Sequence, residues 1–308
     1  MSALLEIKNV SKVYANHVAL REVSMAIERQ SIFGLLGPNG AGKTSLIRII
    51  NQITGPDQGE VLFDGERLAP KHIACIGYLP EERGLYKKME VGEQALYLAQ
   101  LKGLSHAEAA KRIRYWFEKF EMQSWWNKKV EELSKGMQQK VQFIVTIVHE
   151  PQLLILDEPF TGFDPINASL IRDELLALHR KGTTIMLSTH RMETVEELCT
   201  HIALINKSRK VLDGSVSQVR KSFKTNIYQL EYAGDASVLS GLLAPRFELI
   251  KNEAGQESHT ATLRIPETED TNSLLGTLLG SIQVHGLKAV IPSMSDIFIE
   301  AVNKEDKA

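Results

Sequence analysis

Residues 31–50 constrain the fold more than any other stretch. Ser31-Ile32-Phe33-Gly34-Leu35-Leu36 reads as a buried strand, and residues 43–50 read as a helix. The loop between them is Gly37-Pro38-Asn39-Gly40-Ala41-Gly42-Lys43-Thr44, followed by Ser45. It fits G-x-x-x-x-G-K-[ST] in the strand–loop–helix setting that this pattern requires. Gly37, Gly40 and Gly42 let backbone N–H groups turn inward around an anion. The helix that follows adds the positive end of its dipole. Lys43 supplies a point charge to β- and γ-phosphates, and the Thr44 hydroxyl can ligate Mg²⁺. A loop of this kind takes a nucleoside triphosphate.

Strands and helices alternate over residues 4–220, which predicts an α/β core. Residues 152–156 and 184–188 read as short buried strands. Asp157 ends the first of these, so its carboxylate is expected at the carboxyl edge of the sheet, where ligands bind in such folds. There it can hold Mg²⁺ through water. Glu158 follows directly and is placed to orient or deprotonate an attacking water. Ser134 reads as the N-cap of a helix from Lys135 towards His149, with Gly136 permitting close approach of an anion to the first turn. Between residues 82 and 132 the pattern changes to helical periods. Ser105-His106-Ala107-Glu108 fits a capping box, and Trp116, Trp125 and Trp126 are expected to pack a small helical subdomain.

Composition excludes several classes. The net charge of −2 over 308 residues gives no basic field for nucleic acid. Two cysteines, Cys75 and Cys199, are too few for a disulfide framework and suit a reducing compartment. Charge appears as early as Glu6, which argues against a secretory signal, and no apolar run reaches the ~20 residues of a membrane helix. Work at a membrane would therefore require docking on a separate spanning protein. After residue 220 the composition shifts. Strands are expected at 226–232, 247–251, 260–265 and 287–291, and helices at 236–243, 271–282 and 295–302. That order suggests a small split-βαβ domain over 221–308, with a hairpin turn at Glu253-Ala254-Gly255-Gln256. This segment holds 8 Lys+Arg against 12 Asp+Glu, a poor surface for anionic lipid or nucleic acid.

One further block selects among phosphate-loop families. Leu133-Ser134-Lys135-Gly136-Met137-Gln138-Gln139-Lys140 precedes an apolar helix, then Leu153-Leu154-Ile155-Leu156-Asp157-Glu158-Pro159, then Thr161-Gly162-Phe163-Asp164. In order and spacing these motifs resemble the ATP-binding subunits of ABC transporters. The resemblance covers about residues 4–220 and implies a P-loop NTPase of the ABC type with a helical subdomain, here followed by a C-terminal α+β domain. It implies ATP and Mg²⁺ as ligands, Glu158 as general base and His190 as the group that contacts the γ-phosphate. It implies adenine stacking on Tyr14 and metal contacts from Thr44, Asp157 and Glu81. Ser134, Lys135, Gly136 and Met137 would face ATP held by a second copy, with Asp164 in the loop that crosses the interface. The usual family form of the first block is Leu-Ser-Gly-Gly-Gln, so Lys135 and Met137 are departures. Glu81 stands where the family usually carries glutamine. Its run, Glu81-Glu82-Arg83-Gly84-Leu85-Tyr86, resembles a branch grouped with sodium and drug export.

The resemblance therefore implies a homodimer closing around ATP, coupled to a separate permease, with the chain peripheral on the cytoplasmic face. A soluble ABC-type ATPase acting on ribosomes, DNA or cluster assembly is the alternative. Against it stand a single phosphate loop, no coiled-coil insertion and no zinc-type cysteine set. A GTPase is a third class, hinted at by Asn206-Lys207, but Arg209 stands where an aspartate should follow.

Overall fold

The computed structural model describes residues 3–307 except 83, 224, 225, 256 and 257. Arg83 of the acidic run and Gln256 of the expected hairpin turn thus lie outside the described residues. In chain order the elements begin with β1 (Ala3–Tyr14), β2 (His17–Glu28), β3 (Ile32–Leu36), α1 (Lys43–Ile50), β4 (Gln58–Phe63), β5 (Glu66–Arg67) and β6 (Ile76–Leu79). Two helices follow, α2 (Val91–Leu101) and α3 (His106–Lys119), then α4 (Lys135–Ile147). Next come β7 (Leu153–Asp157), α5 (Pro165–Arg180), β8 (Thr184–Ser188), α6 (Met192–Leu198), β9 (His201–Asn206) and β10 (Arg209–Ser215). The chain ends with α7 (Val216–Ser222), β11 (Ile227–Ala233), α8 (Val238–Leu243), β12 (Glu248–Glu253), β13 (His259–Arg264), α9 (Thr271–Leu278), β14 (Gln283–Ala289) and α10 (Met294–Lys307).

Contacts divide the chain into two compact units, Met1–Val216 with Ala301–Ala308, and Ser217–Glu300. The first unit is built on a six-stranded sheet of order β10-β9-β3-β8-β7-β6. All its pairs are parallel except β9 with β10. The central strands β3, β7 and β8 are buried at every position, as expected for a sheet covered on both faces. Parallel pairing sends β3, β6, β7 and β8 out at one edge. The phosphate loop, Glu81, Glu158 and Thr189-His190 follow those strands, Asp157 closes β7, and all meet there. A second sheet, β2-β1-β4-β5, is antiparallel and brings the β1–β2 turn to the same place.

The helical subdomain packs on aromatics. Phe117 meets Trp126 edge-on at 5.6 Å, and Phe120 meets Phe143 of α4 at 6.1 Å. Trp116 is buried, whereas Trp125 and Trp126 are half-buried. The expected capping box is only half formed. The Ser105 hydroxyl accepts from the Glu108 N–H at 3.3 Å, but the Glu108 carboxylate pairs with Arg112 at 2.6 Å instead of turning back.

In the second unit the sheet order is β12-β13-β11-β14, with all pairs antiparallel. Strands β11 and β12 are split by β13, the split-βαβ arrangement. Leu230, Tyr232, Ala261, Leu263, Leu274 and Leu278 form its core. Several boundaries differ from expectation, and the largest departure is α10, which runs to Lys307 where an end at 302 was expected. Helix α9 stops at Leu278 because Gly280 takes a left-handed φ of 98°. Strand β14 begins at Gln283, since its ladder with β11 runs from Ala233↔Gln283 to Tyr228↔Ala289.

One glycine fixes how the phosphate loop enters α1. Gly42 has φ 116°, and a Cβ there would lie 2.3 Å from the Ala19 carbonyl oxygen. Gly42→Ala should therefore destabilise the chain, the backbone strain alone costing about 1–3 kcal/mol. Urea unfolding measures this, and an unchanged midpoint would contradict the packing of the loop against β2.

Candidate functional site

A single cleft collects most of the residues singled out by sequence. Tyr14, Asn39, Gly40, Gly42, Lys43, Thr44, Ser45, Glu81, Asp157, Glu158 and His190 all line it. Gly37, Pro38 and Ala41 support the cleft from beneath. The Gly37 and Pro38 carbonyls accept hydrogen bonds from Lys43 Nζ at 2.7 and 3.1 Å. The Ala41 N–H donates to the Pro38 carbonyl at 3.2 Å, which tightens the loop. Gly40 is open on its Cβ side, leaving room for a bulky anion against the backbone.

Glu158 is held in an unusual backbone conformation, with φ 50°. Its N–H donates to the Ser188 carbonyl at 2.8 Å, locking β7 to β8 beyond the last ladder pair. Its side chain is gripped by the next loop. The His190 N–H donates to Oε1 at 3.0 Å, and His190 Nδ1 lies 2.6 Å from the same oxygen. The Thr189 hydroxyl donates to Oε2 at 3.3 Å. The glutamate is thus aimed by neighbours rather than left free, as a base that must address one water requires.

The predicted metal set is Thr44, Glu81 and Asp157. Among the described residues no group of three His, Cys, Asp or Glu side chains forms a ready-made metal site. The donor chemistry still fits Mg²⁺. All donors are hard oxygens, and the carboxylates of Glu81, Asp157 and Glu158 face a single buried ammonium, Lys43. Such an excess of negative charge suits a divalent cation that takes its remaining ligands from phosphate and water.

Ser134, Lys135, Gly136, Met137 and Asp164 are not in this cleft. Ser134 caps α4 by accepting from the Met137 N–H at 3.3 Å. Gln138 Nε2 anchors the start of that helix on the Val130 and Leu133 carbonyls at 3.1 and 3.0 Å. Asp164 caps α5, accepting from the Asn167 N–H at 2.9 Å, and this bond holds its carboxyl below the usual range. Gln139 donates to the Thr161 carbonyl, linking the two segments. Asn206 is buried at the end of β9 and does not line the cleft. Two cleft residues escaped the sequence reading, His17 and Ala19. His17 pairs with Tyr14 across an Ala15-Asn16 turn, a dipeptide that carries little hairpin signal.

Burial dominates the electrostatics of the cleft. It pushes the Asp157 carboxyl up, Glu81 and Glu158 push the same way, and the Ser188 side chain and, to a lesser extent, Lys43 oppose them. It also pushes the Lys43 ammonium down, against the pull of Glu158, Asp157 and Glu81. An acid whose folded pKa is raised favours folding while protonated, and this contribution is lost as pH rises through the folded value. Ionised Asp157 therefore costs stability at neutral pH. Asp157→Asn should stabilise the nucleotide-free chain at pH 7–8, the gain shrinking as pH falls towards the ordinary carboxylate value near ~4. Urea midpoints across pH measure it, and a variant less stable than wild type at pH 8 would contradict the burial cost.

Comparison with known proteins agrees with this geometry. A family model described as ABC transporter matches residues 20–161, and one described as ATP-binding protein DrrA1-3-like, C-terminal domain, matches residues 214–302. The uncharacterized ABC transporter ATP-binding protein YhaQ of Bacillus subtilis (strain 168) is 39% identical over 303 residues, covering 97% of this chain and 98% of its own. The Nod factor export ATP-binding protein I of Cupriavidus pinatubonensis is 31% identical over 309 residues, covering 99% and 92%. A solved ATP-binding subunit of an ABC transporter superposes with a TM-score of 0.67 at 32% identity, covering 71% of this chain and 93% of that one. A phosphate loop, a buried aspartate and a clamped glutamate at one sheet edge, on a chain matched almost end to end by such relatives, place this protein in the ABC transporter ATP-binding family, as an ATPase with a DrrA-like C-terminal domain.

Proposed function

We propose that this ATPase energises a separate membrane-spanning permease of the export type, from the cytoplasmic face of the membrane, as a head-to-tail homodimer around two ATP molecules. The observation that carries the permease partner is an apolar groove beside Glu81. It is lined by Ile53, Tyr78, Pro80, Leu85, Leu98 and Leu101. Ile53 is 61% exposed and Leu101 64%, a concentration of bare apolar surface that suits a protein partner. No helix among the described residues is long and apolar enough to cross a membrane. The export sense is supported by the Nod factor export relative and by the acidic run at Glu81-Glu82.

In the hydrolytic step the loop N–H groups and the α1 terminus receive the β- and γ-phosphates. Lys43 exchanges its bonds to the Gly37 and Pro38 carbonyls for phosphate oxygens. Glu158 orients a water for in-line attack on the γ-phosphorus and takes its proton as the bond to the β-γ bridging oxygen breaks. His190, already bonded to Glu158, keeps the carboxylate aimed and lies in reach of the γ-phosphate side. Thr44, Asp157 and Glu81 would hold Mg²⁺, which when bound neutralises phosphate charge. Ser134 and Gly136 of a second copy would close the site with the N-terminus of its α4.

Glu158→Gln keeps the side chain's shape and removes its basicity. It should bind ATP yet hydrolyse it about 10²–10⁴-fold more slowly. With Mg²⁺ and saturating ATP it should accumulate as a dimer on light scattering. A persistent monomer under those conditions contradicts the two-copy reading.

The permease reading is tested by mild-detergent purification of the tagged chain from native membranes. A stoichiometric polytopic membrane protein should co-purify, and vesicles reconstituted with both chains should move substrate outward. Recovery from the soluble fraction with ribosomal proteins would favour the soluble ATPase instead.

A further inference from the structure

Tyr14 enters the cleft from the end of β1, where the strand has lost its neighbour on one side. The ladder of β1 with β4 runs from Leu5↔Phe63 to Ser11↔Gln58 and goes no further. The residue just before β4, Asp57, takes over from the missing strand. Its N–H donates to the Ser11 carbonyl at 2.9 Å, and its Oδ2 accepts from the Val13 N–H at 2.7 Å. Its other oxygen, Oδ1, accepts from Lys12 Nζ at 2.8 Å. These bonds hold the Asp57 carboxyl below its usual range, the Lys12 bond foremost.

Lys12 is thereby fixed, with only 13% of its side chain exposed. Its ammonium stands over the Tyr14 ring, 5.4 Å from the centroid. Lys12 itself does not line the cleft, whereas Tyr14 does. With the ammonium over one face, the ring has its other face left for a ligand in the cleft. An aromatic ring at the end of a strand would otherwise rotate and swing freely in water. A cation held on one face restricts it and draws electron density from the face that remains, which favours stacking of an electron-rich base.

We propose that Lys12, pinned by Asp57, is a positioning residue for base recognition. It occupies one face of Tyr14 and presents the other to a purine base. This rests on the reading that Tyr14 stacks on the base. Stacking on an aromatic ring contributes to binding of every base, but a purine has more area to lose than a pyrimidine when the ring is no longer held. The Lys12–Asp57 pair thus sets how strongly the cleft prefers ATP over UTP.

The test is equilibrium binding of ATP, UTP and inorganic tripolyphosphate to the full chain carrying Lys12→Met, Lys12→Arg, Asp57→Asn or Tyr14→Ala. Methionine keeps the length of lysine and removes the charge. Lys12→Met and Asp57→Asn should weaken ATP by roughly 3- to 10-fold. UTP should weaken less and tripolyphosphate, which has no base, should hold its affinity; Lys12→Arg should restore the ATP:UTP ratio. If Tyr14→Ala collapses that ratio while Lys12→Met keeps it at wild type, the role of Lys12 is overturned and the stacking reading stands. If Tyr14→Ala leaves the ratio unchanged, both fail. If Lys12→Met weakens tripolyphosphate as much as ATP, the residue supports the whole strand end and not the base, which also overturns the proposal.

Discussion

The Lys43 ammonium is the charge on which the cleft depends. It is buried at the first position of α1, where the positive helix end already disfavours a cation. Burial pushes its pKa down, while two carbonyls of its own loop and the field of three carboxylates favour the charged form against that push. The same carboxylates would repel one another without it, Asp157 most of all because it is the most buried. The free chain is therefore held in a balanced but expensive state, and a phosphate–metal pair relieves both sides of it at once. Strong perturbation of this kind in a cleft is what a reactive site requires and a merely structural cluster avoids.

Geometry at the sheet edge does the rest. Four parallel strands deliver their carboxyl ends to one place, and hydrogen bonds past the ends of the ladders set the final aim. The Glu158 N–H on the Ser188 carbonyl and the His190 loop on the Glu158 carboxylate are two such bonds. Asp57 does the same for β1, extending its hold two residues beyond the last pair. Glu158 and His190 lie just outside regular structure and Tyr14 closes β1, each at a point that a neighbouring segment braces.

Much of this was readable from residue order. The phosphate loop, Asp157-Glu158 and His190 each follow a short apolar run, and apolar runs that short in an α/β pattern are buried strands. The hairpin and the split order of the C-terminal unit followed from alternation and turn residues. The misses have local causes. His17 sits after a turn with no glycine or asparagine–glycine signature, so nothing marked it as facing Tyr14. The Glu108 carboxylate had two partners open to it and took the arginine one turn on rather than the backbone. The end of α9 depended on Gly280 adopting a left-handed conformation, which competes with the helical pattern that continues past it.

The sequence by itself determined the kind of chemistry. A backbone cradle needs glycines, a phosphate needs a lysine, and a metal needs oxygen donors, and these are properties of residue type and spacing. Only the tertiary structure decided which groups share a field. Residues 14, 43, 81, 157 and 190 are far apart in the chain and meet because parallel pairing aligns strand ends. Charge balance, burial and the capture of Lys12 by Asp57 depend on distances between segments, and distance between segments is fixed by packing, not by order along the chain.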